Sequence, residues 1–229
     1  MKTSHETTVG PTAPIVETRL PEDIRRRMAA RLHAAPPPGH DDPAAPIERG
    51  DHDLNKDQPL DLFQKGPPRP AAVLVPIVAR AEGATVLLTR RADQLANHSG
   101  QVAFPGGKIE PAESPLAAAR REAGEEIGLQ PECMQPLGYL DLYQTGSGFR
   151  IVPVVAFVTP DASCRPDPRE VAEIFEVPLD FLMQRDNHQM HSRQWRGLTR
   201  RYYAMPFGAY YIWGATAGII RNLYDRVYR

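Results

Sequence analysis

The sequence predicts an α+β domain with a mixed sheet, preceded by a proline-rich N-terminal extension. Short apolar runs of strand length recur from residue 71 onward, and few segments between them show helical periodicity. This pattern favours an α/β/α sandwich over a regular β-α alternation. Residues 1–70 hold 12 of the 24 prolines. We therefore expect residues 1–70 to form the extension and residues 71–229 to form one domain of ordinary size.

The extension is expected to have three parts. Residues 1–18 are polar and lack a pattern, which is typical of a flexible leader. A helix begins at Pro21, and its apolar residues are spaced at i, i+4 and i+8: Ile24, Met28 and Leu32. Residues 36–70 are rich in proline, aspartate and glycine and form an arm or linker. The arm has few apolar anchors: Leu54, Leu60, Leu62 and Phe63.

The domain begins with a predicted β-hairpin. Two apolar runs, 71–79 and 84–89, are separated by the turn signal Glu82-Gly83. A glycine- and proline-containing loop over 99–107 leads into a helix over 115–127. The remaining patterned segments are strands over 137–143, 150–158, 189–196 and 199–204, and helices over 179–183 and 215–228.

Overall charge and cysteine content narrow the function classes. The formal net charge is −1, from 27 basic and 28 acidic residues, so bulk charge indicates no nucleic-acid or membrane partner. Cys133 and Cys164 are too few for a disulfide scaffold or a zinc cluster, and no apolar run of signal-peptide length follows Met1. We expect a cytoplasmic protein with reduced thiols.

The helix over 115–127 carries the densest chemistry. Glu122, Glu125 and Glu126 are spaced at i, i+3 and i+4 and share one face, opposite a stripe of small and aliphatic residues. Like charges at this spacing cost roughly 0.2–0.5 kcal/mol per pair, and the C-terminal end of a helix disfavours them further. A hard divalent cation such as Mg²⁺ or Mn²⁺ would reverse this cost. The alternative is a solvated acidic face.

The wider spacing around these glutamates resembles the Nudix box, G-x5-E-x7-R-E-U-x-E-E-x-G-U, in which U is a bulky aliphatic residue. The positions in register are Gly107, Glu113, Arg121, Glu122, Glu125, Glu126, Gly128 and Leu129. Ala123 departs from the first U position, a change expected to affect packing rather than chemistry. The resemblance implies a Nudix sandwich that hydrolyses a nucleoside diphosphate linked to another moiety.

The same resemblance implies roles for individual residues. The implied principal ligands of Mg²⁺ or Mn²⁺ are Glu122 and Glu126. Glu125 is implied as a further ligand or a contact of a metal-bound water, and Glu113 as a metal contact or a partner of Arg121. The implied catalytic residues are Glu125, Glu126 and Arg121. The identity of the general base is left undecided: it is either a box glutamate or a downstream acid, Glu170 or Glu173. The acidic stretch that contains those two residues has a second interpretation, as a solvent-facing strand edge.

The segment before the box resembles the coenzyme A pyrophosphatase signature, L-L-T-x-R-[SA]-x3-R-x3-G-x3-F-P-G-G. Ala96 stands where that signature has a second arginine. The resemblance implies cleavage of coenzyme A or its thioesters to 3′,5′-ADP and the 4′-phosphopantetheine part. The implied substrate-binding residues are Arg90, Arg91, His98, Gln101, Phe104, Gly106 and Gly107.

Two other functions stay open at this point. The missing arginine at Ala96 is compatible with a Nudix pyrophosphatase that acts on ADP-ribose, NADH or a dinucleoside polyphosphate. A Nudix-fold binding module without turnover is the second alternative, against which the complete set of box glutamates argues.

The C-terminal part of the chain is strongly basic. Residues 185–229 contain eight arginines but only Asp186 and Asp225 as acids. We expect some of these arginines to attract a polyanionic substrate, the candidates being Arg193, Arg196, Arg200 and Arg201. The alternative is that these arginines only carry surface charge or lie at the rim of a dimer interface. A homodimer is a further expectation, with the N-terminal helix and arm as candidate contacts.

Overall fold

The computed structural model describes residues 21–58, 66–95, 98–195 and 197–229. Within these residues, nine strands form a mixed central sheet. They are β1 (Arg49–Gly50), β2 (Arg69–Arg80), β3 (Gly83–Arg91), β4 (Val102–Ala103), β5 (Gly106–Lys108), β6 (Met134–Tyr139), β7 (Tyr143–Gln144), β8 (Phe149–Val158) and β9 (Val171–Pro178). The strand order is β1-β7-β8-β2-β3-β4, with β5 paired to β2, β6 to β8 and β9 to β3.

A second, three-stranded antiparallel sheet and the helices complete the fold. The strands of this sheet are β10 (Gln189–Trp195), β11 (Leu198–Phe207) and β12 (Tyr210–Trp213). The helices are α1 (Glu22–Arg31), α2 (Pro115–Ile127), α3 (Leu179–Leu182) and α4 (Ala215–Val227). Of the helices in the described ranges, none has the length and apolar character needed to cross a membrane.

The side chains of β2 alternate between two hydrophobic cores, as strand geometry requires. Val75 and Ile77 lie in the core that α1, α4 and the β10–β12 sheet complete. Leu74 and Val78 lie in the core that α2 completes. Because β2 and β8 are paired in parallel and covered on both sides, they are apolar almost throughout. The predicted α+β sandwich with a mixed sheet is confirmed.

The elements on either side of the candidate glutamates lie where the sequence predicts them. β2 and β3 form the expected antiparallel hairpin, and α2 has the predicted bounds. The predicted single strand over 137–143 is wrong, because residues 140–142 separate β6, which ends at Tyr139, from β7, which begins at Tyr143. The strand β12 and the short strands β1, β4 and β5 were not predicted from the sequence. The predicted leader over 1–18 and the anchors Leu60, Leu62 and Phe63 lie outside the described residues.

Part of the N-terminal extension packs on the sheet. β1 pairs in parallel with β7, and Met28 of α1 is fully buried in the core with α4. Arg150 of β8 is buried and donates hydrogen bonds to the carbonyl oxygens of four arm residues, Gly39, Asp42, Pro43 and Ala45. The arm thus contributes to the body of the fold, while a domain boundary at residue 70 stays a prediction.

Candidate active site

Local sequence determines both ends of α2 and therefore the placement of its glutamates. The Ser114 hydroxyl caps the N-terminus by accepting a hydrogen bond from the Ala117 backbone N–H at 3.2 Å. Gly128 ends the helix in the left-handed region at φ +66°. The buried side of α2 consists mainly of small residues, Ala118, Ala119 and Ala123 with Ile127. Small residues let the helix lie close to the sheet, which brings its glutamates to the edge at β5.

Arg121 gathers three box glutamates around one guanidinium group. It forms a bidentate ion pair with Glu113, with two N–O distances of 3.0 Å. A third nitrogen lies 2.8 Å from a Glu122 oxygen and 3.3 Å from a Glu125 oxygen. The hydrogen bonds from Arg121 lower the pKa of Glu113. Arg121 therefore offsets the repulsion among these acids and fixes their orientation.

Glu126 is the most buried of the box glutamates, with only 4% of the residue exposed. One carboxylate oxygen accepts a hydrogen bond from the Gly106 N–H at 3.2 Å. The other lies 3.8 Å from the Arg91 guanidinium. Burial raises the pKa of Glu126 to about 7, and the charges of Glu122 and Glu170 act in the same direction.

Glu122 lies directly against the backbone of Gly107. A Cβ atom on residue 107 would overlap the Glu122 carboxylate, so only glycine leaves room for it in this position. Burial raises the pKa of Glu122, and the negative charges of Glu125 and Glu170 contribute in the same direction.

The donor set fits a hard divalent cation. Glu122 and Glu126 are partly or fully removed from water, which disfavours their charged forms, and a nearby cation would reverse that cost. Across the described residues, no three Asp, Glu, His or Cys side chains form a complete ligand cage. Mg²⁺ takes few protein carboxylates, since waters and phosphate oxygens complete its coordination shell.

The structure divides the predicted substrate-binding residues into two groups. Five of them line one cleft on the face of the central sheet that α4 covers, whereas α2 covers the other face: Arg91, His98, Gln101, Phe104 and Gly106. Arg90 is instead paired with Glu173 at 3.4 Å and Asp93 at 3.1 Å, and Gly107 faces Glu122. Ala96, at the position of the missing arginine, lies outside the described residues.

The cleft has a volume of about 590 Å³ and is rich in arginine and aromatic side chains. The arginines that line it come from the arm, β3, the second sheet and α4: Arg49, Arg91, Arg193, Arg200, Arg201 and Arg221. Three of the four C-terminal arginines predicted to attract substrate are therefore in the cleft wall, and Arg196 lies outside the described residues.

The arm contributes a part of the cleft wall that no sequence pattern predicts. Arg49 and Asp51 line the cleft, and Asp51 accepts hydrogen bonds from the Tyr143 hydroxyl at 2.9 Å and the Gly146 N–H at 2.7 Å. No motif marks these residues, because their partners lie far along the chain. The C-terminal arginines were the one compositional signal that pointed to another part of the cleft wall.

The two downstream acids have different surroundings. Glu173 accepts a hydrogen bond from the Tyr210 hydroxyl at 2.5 Å and pairs with Arg90. Glu170 is the acid whose charge raises the pKa of both Glu122 and Glu126. Of the two, Glu170 is therefore the one linked electrostatically to the glutamates of α2.

Comparison with known proteins places the chain in a class of enzymes. A family model described as the NUDIX domain matches residues 68–197. The chain therefore belongs to the Nudix hydrolase family and has its α+β fold. Nudix hydrolases act on small-molecule pyrophosphate substrates and generally use divalent metal ions.

Individual relatives extend the likeness well beyond the box. A Nudix hydrolase named NudL from Enterobacter sp. (strain 638) is 40% identical over 182 residues, which cover 75% of this chain and 94% of the relative. A protein of the same name from Klebsiella pneumoniae (strain 342) is 39% identical over 183 residues, which cover 76% and 95% respectively. Among solved structures, a Nudix hydrolase from M. smegmatis, RenU, is 30% identical with a TM-score of 0.42, covering 48% of this chain and 70% of that chain.

Proposed function

We propose that this chain hydrolyses the diphosphate linkage of coenzyme A or acyl-coenzyme A to 3′,5′-ADP and (acyl-)4′-phosphopantetheine, with Mg²⁺ or Mn²⁺. The observation that carries the proposal is the 3.8 Å approach of the Arg91 guanidinium to the Glu126 carboxylate. Arg91 belongs to the coenzyme A pyrophosphatase signature and Glu126 to the Nudix box. Arg91 also lines the arginine-rich cleft and therefore connects that cleft to a glutamate of α2.

Each residue near this contact has a distinct part in the proposed reaction. Glu122 and Glu126 would hold the metal ion, with Glu125 and Glu113 close by through Arg121. When bound, the ion would offset the charge of the diphosphate and orient a water for attack on phosphorus. Arg91 binds a phosphate oxygen, which positions the linkage beside the glutamates.

We assign the general base to Glu170. A base must accept a proton from the attacking water close to the metal-binding carboxylates. The charge of Glu170 acts on both Glu122 and Glu126, whereas Glu173 is occupied by Tyr210 and Arg90. Glu170 is exposed and lies in the turn before β9, whereas Glu173 is half-buried within β9.

One different substrate class is supported by a specific observation. Ala96 replaces the second arginine of the coenzyme A signature, and loss of a guanidinium removes a bidentate phosphate contact. ADP-ribose, NADH or a dinucleoside polyphosphate is therefore the second candidate. A binding module without turnover is disfavoured, because the box glutamates are all present and Arg121 binds three of them.

The cytoplasmic location and the homodimer remain proposals. Sedimentation of the purified chain tests the homodimer.

A substrate panel tests the proposal directly. The purified chain is incubated with Mg²⁺ or Mn²⁺ and coenzyme A, acetyl-coenzyme A, ADP-ribose, NADH or a dinucleoside tetraphosphate, and the products are identified by mass. We expect 3′,5′-ADP from coenzyme A as the fastest product. A strong preference for ADP-ribose would reject the coenzyme A assignment, and absence of turnover with every substrate would support the binding module.

A further inference from the structure

We propose that Arg193 and Arg200 form a second anion subsite, which binds a phosphate monoester that the substrate carries apart from its scissile diphosphate. The inference rests on the proposed function and deepens it. Coenzyme A carries such a group on its ribose, whereas ADP-ribose and NADH do not. The subsite would therefore select among nucleoside diphosphate derivatives that share the same scissile linkage.

The two arginines are directly opposed on neighbouring strands. Arg193 of β10 is the register partner of Arg200 of β11, and both line the cleft that Arg91 reaches from β3. Like charges directly opposite each other destabilise a sheet. A phosphate dianion between them would replace this repulsion with charge-assisted hydrogen bonds.

An aromatic ring, rather than a carboxylate, positions Arg193. The guanidinium carbon of Arg193 lies 4.9 Å from the centroid of the Trp213 ring. Among the residues that the structure describes, no acidic side chain forms an ion pair with it. Two other cleft arginines, Arg49 and Arg221, each lie 3.0 Å from Asp225. Arg193 therefore keeps its charge and its N–H donors available, because a cation–π contact uses only the face of the guanidinium group.

The same part of the cleft offers a surface for a planar ring. Tyr202 meets Trp213 edge to face with a centroid distance of 5.2 Å, and both side chains line the cleft. Aromatic side chains stack readily on nucleobases. A wall with paired arginines and adjoining aromatic rings suits a purine nucleoside that carries a phosphate monoester. The diphosphate of the same molecule would extend toward Arg91 and the glutamates of α2.

Matched substrates test the subsite in the metal-loaded enzyme. Kinetics of the wild type, Arg193→Gln and Arg200→Gln are measured with coenzyme A and with dephospho-coenzyme A, which lacks only the monoester. We expect each variant to raise KM for coenzyme A by about 10-fold with kcat nearly unchanged, and to leave KM for dephospho-coenzyme A unchanged. Arg185→Gln, an exposed arginine outside the cleft, removes the same charge and should change neither KM. Equal effects on both substrates, or no effect on either, would overturn the proposal.

A binding measurement separates this inference from the proposed function. The affinities for 3′,5′-ADP and 5′-AMP are measured by calorimetry in the presence of a chelator, so that neither metal nor turnover contributes. We expect the wild type to bind 3′,5′-ADP more tightly, and Arg193→Gln to remove that difference while its thermal melting stays unchanged. Equal wild-type affinities would reject the subsite even if coenzyme A were hydrolysed. Tighter binding of 3′,5′-ADP would support it even if the substrate panel showed no turnover of coenzyme A.

Discussion

The Glu122 carboxylate occupies the space in which a Cβ atom of residue 107 would lie. Gly107→Ala should therefore displace a proposed metal ligand without altering any charged group. Because disturbance of the groups that orient a metal ligand typically costs about 10–100-fold in affinity or activity, we expect the Mg²⁺ concentration for half-maximal rate to rise by about that factor. This concentration is measured by following the hydrolysis rate as Mg²⁺ is added to the wild type and to the variant.

Gly124→Ala is the matched control for that substitution. Gly124 lies within α2, and its added Cβ would be 3.7 Å from the nearest atom outside the local helix backbone, an ordinary contact. Alanine in a helix interior stabilises by about 0.5–1 kcal/mol relative to glycine. We expect unchanged metal dependence and a slightly higher melting temperature. A Gly107→Ala enzyme with wild-type metal dependence would contradict the assignment of Glu122.

Glu126→Gln should separate catalysis from stability. The carboxylate is buried and its pKa is raised to about 7, so an amide of the same shape relieves desolvation and charge crowding. We expect kcat to fall by about 100-fold or more, because metal ions supply several kcal/mol of charge stabilisation. Thermal melting in a chelator should show equal or greater stability. Glu132→Gln, at an exposed acid outside α2, serves as control, and full activity of Glu126→Gln would refute its role.

The position of α2 could be predicted from local sequence, whereas the burial of Glu126 could not. Ser114 and Gly128 are local end signals, and helical periodicity alone places the three glutamates on one side. Periodicity gives Glu125 and Glu126 similar surroundings. The structure makes Glu125 mostly exposed and Glu126 buried, because the Gly106 backbone packs over one side of that face. This contact depends on tertiary structure and has no signal in the helix sequence.

Only part of the cleft could be predicted from the sequence, because some of its residues are brought together by tertiary contacts alone. The signature residue Arg91 and the basic C-terminal segment could be recognised from motif and composition. The arm wall could not, because Asp51 finds its partners at Tyr143 and Gly146 through folding. A segment rich in proline, aspartate and glycine reads as a linker whether or not it docks on the domain.

Substitution of Glu170 and of Glu173 tests which of these two neighbouring acids is the general base. If Glu170 accepts the proton of the attacking water, Glu170→Gln should lower kcat by about 100-fold or more with little change in KM. Glu173→Gln should retain kcat, since its partners are Tyr210 and Arg90. The opposite ranking of the two variants would exclude Glu170.

His188 should make stability depend on pH. It is buried, its Nε2 lies 2.6 Å from the Leu182 carbonyl oxygen, and burial lowers its pKa below the ordinary value of 6.5. The unfolded chain therefore binds a proton near pH 6.5 that the folded chain does not bind until lower pH. Its contribution to stability is present above about pH 6.5 and is lost as the pH falls. Urea unfolding of the wild type and His188→Gln between pH 5 and 8 measures the difference, and His98→Gln, at an exposed histidine, should follow the wild type.

Asn55 joins the arm to β11 and should contribute strongly to stability. It is 1% exposed, and its side-chain oxygen accepts a hydrogen bond from the Arg201 N–H at 2.8 Å while its amide donates to the Arg201 carbonyl at 2.9 Å. Because Asn55→Ala leaves these buried backbone groups unpaired, we expect a loss of about 1–3 kcal/mol in the free energy of unfolding. Gln58→Ala removes one hydrogen bond, to Thr199, and should cost less. Equal stabilities of Asn55→Ala and the wild type in urea unfolding would show that the arm does not depend on this contact.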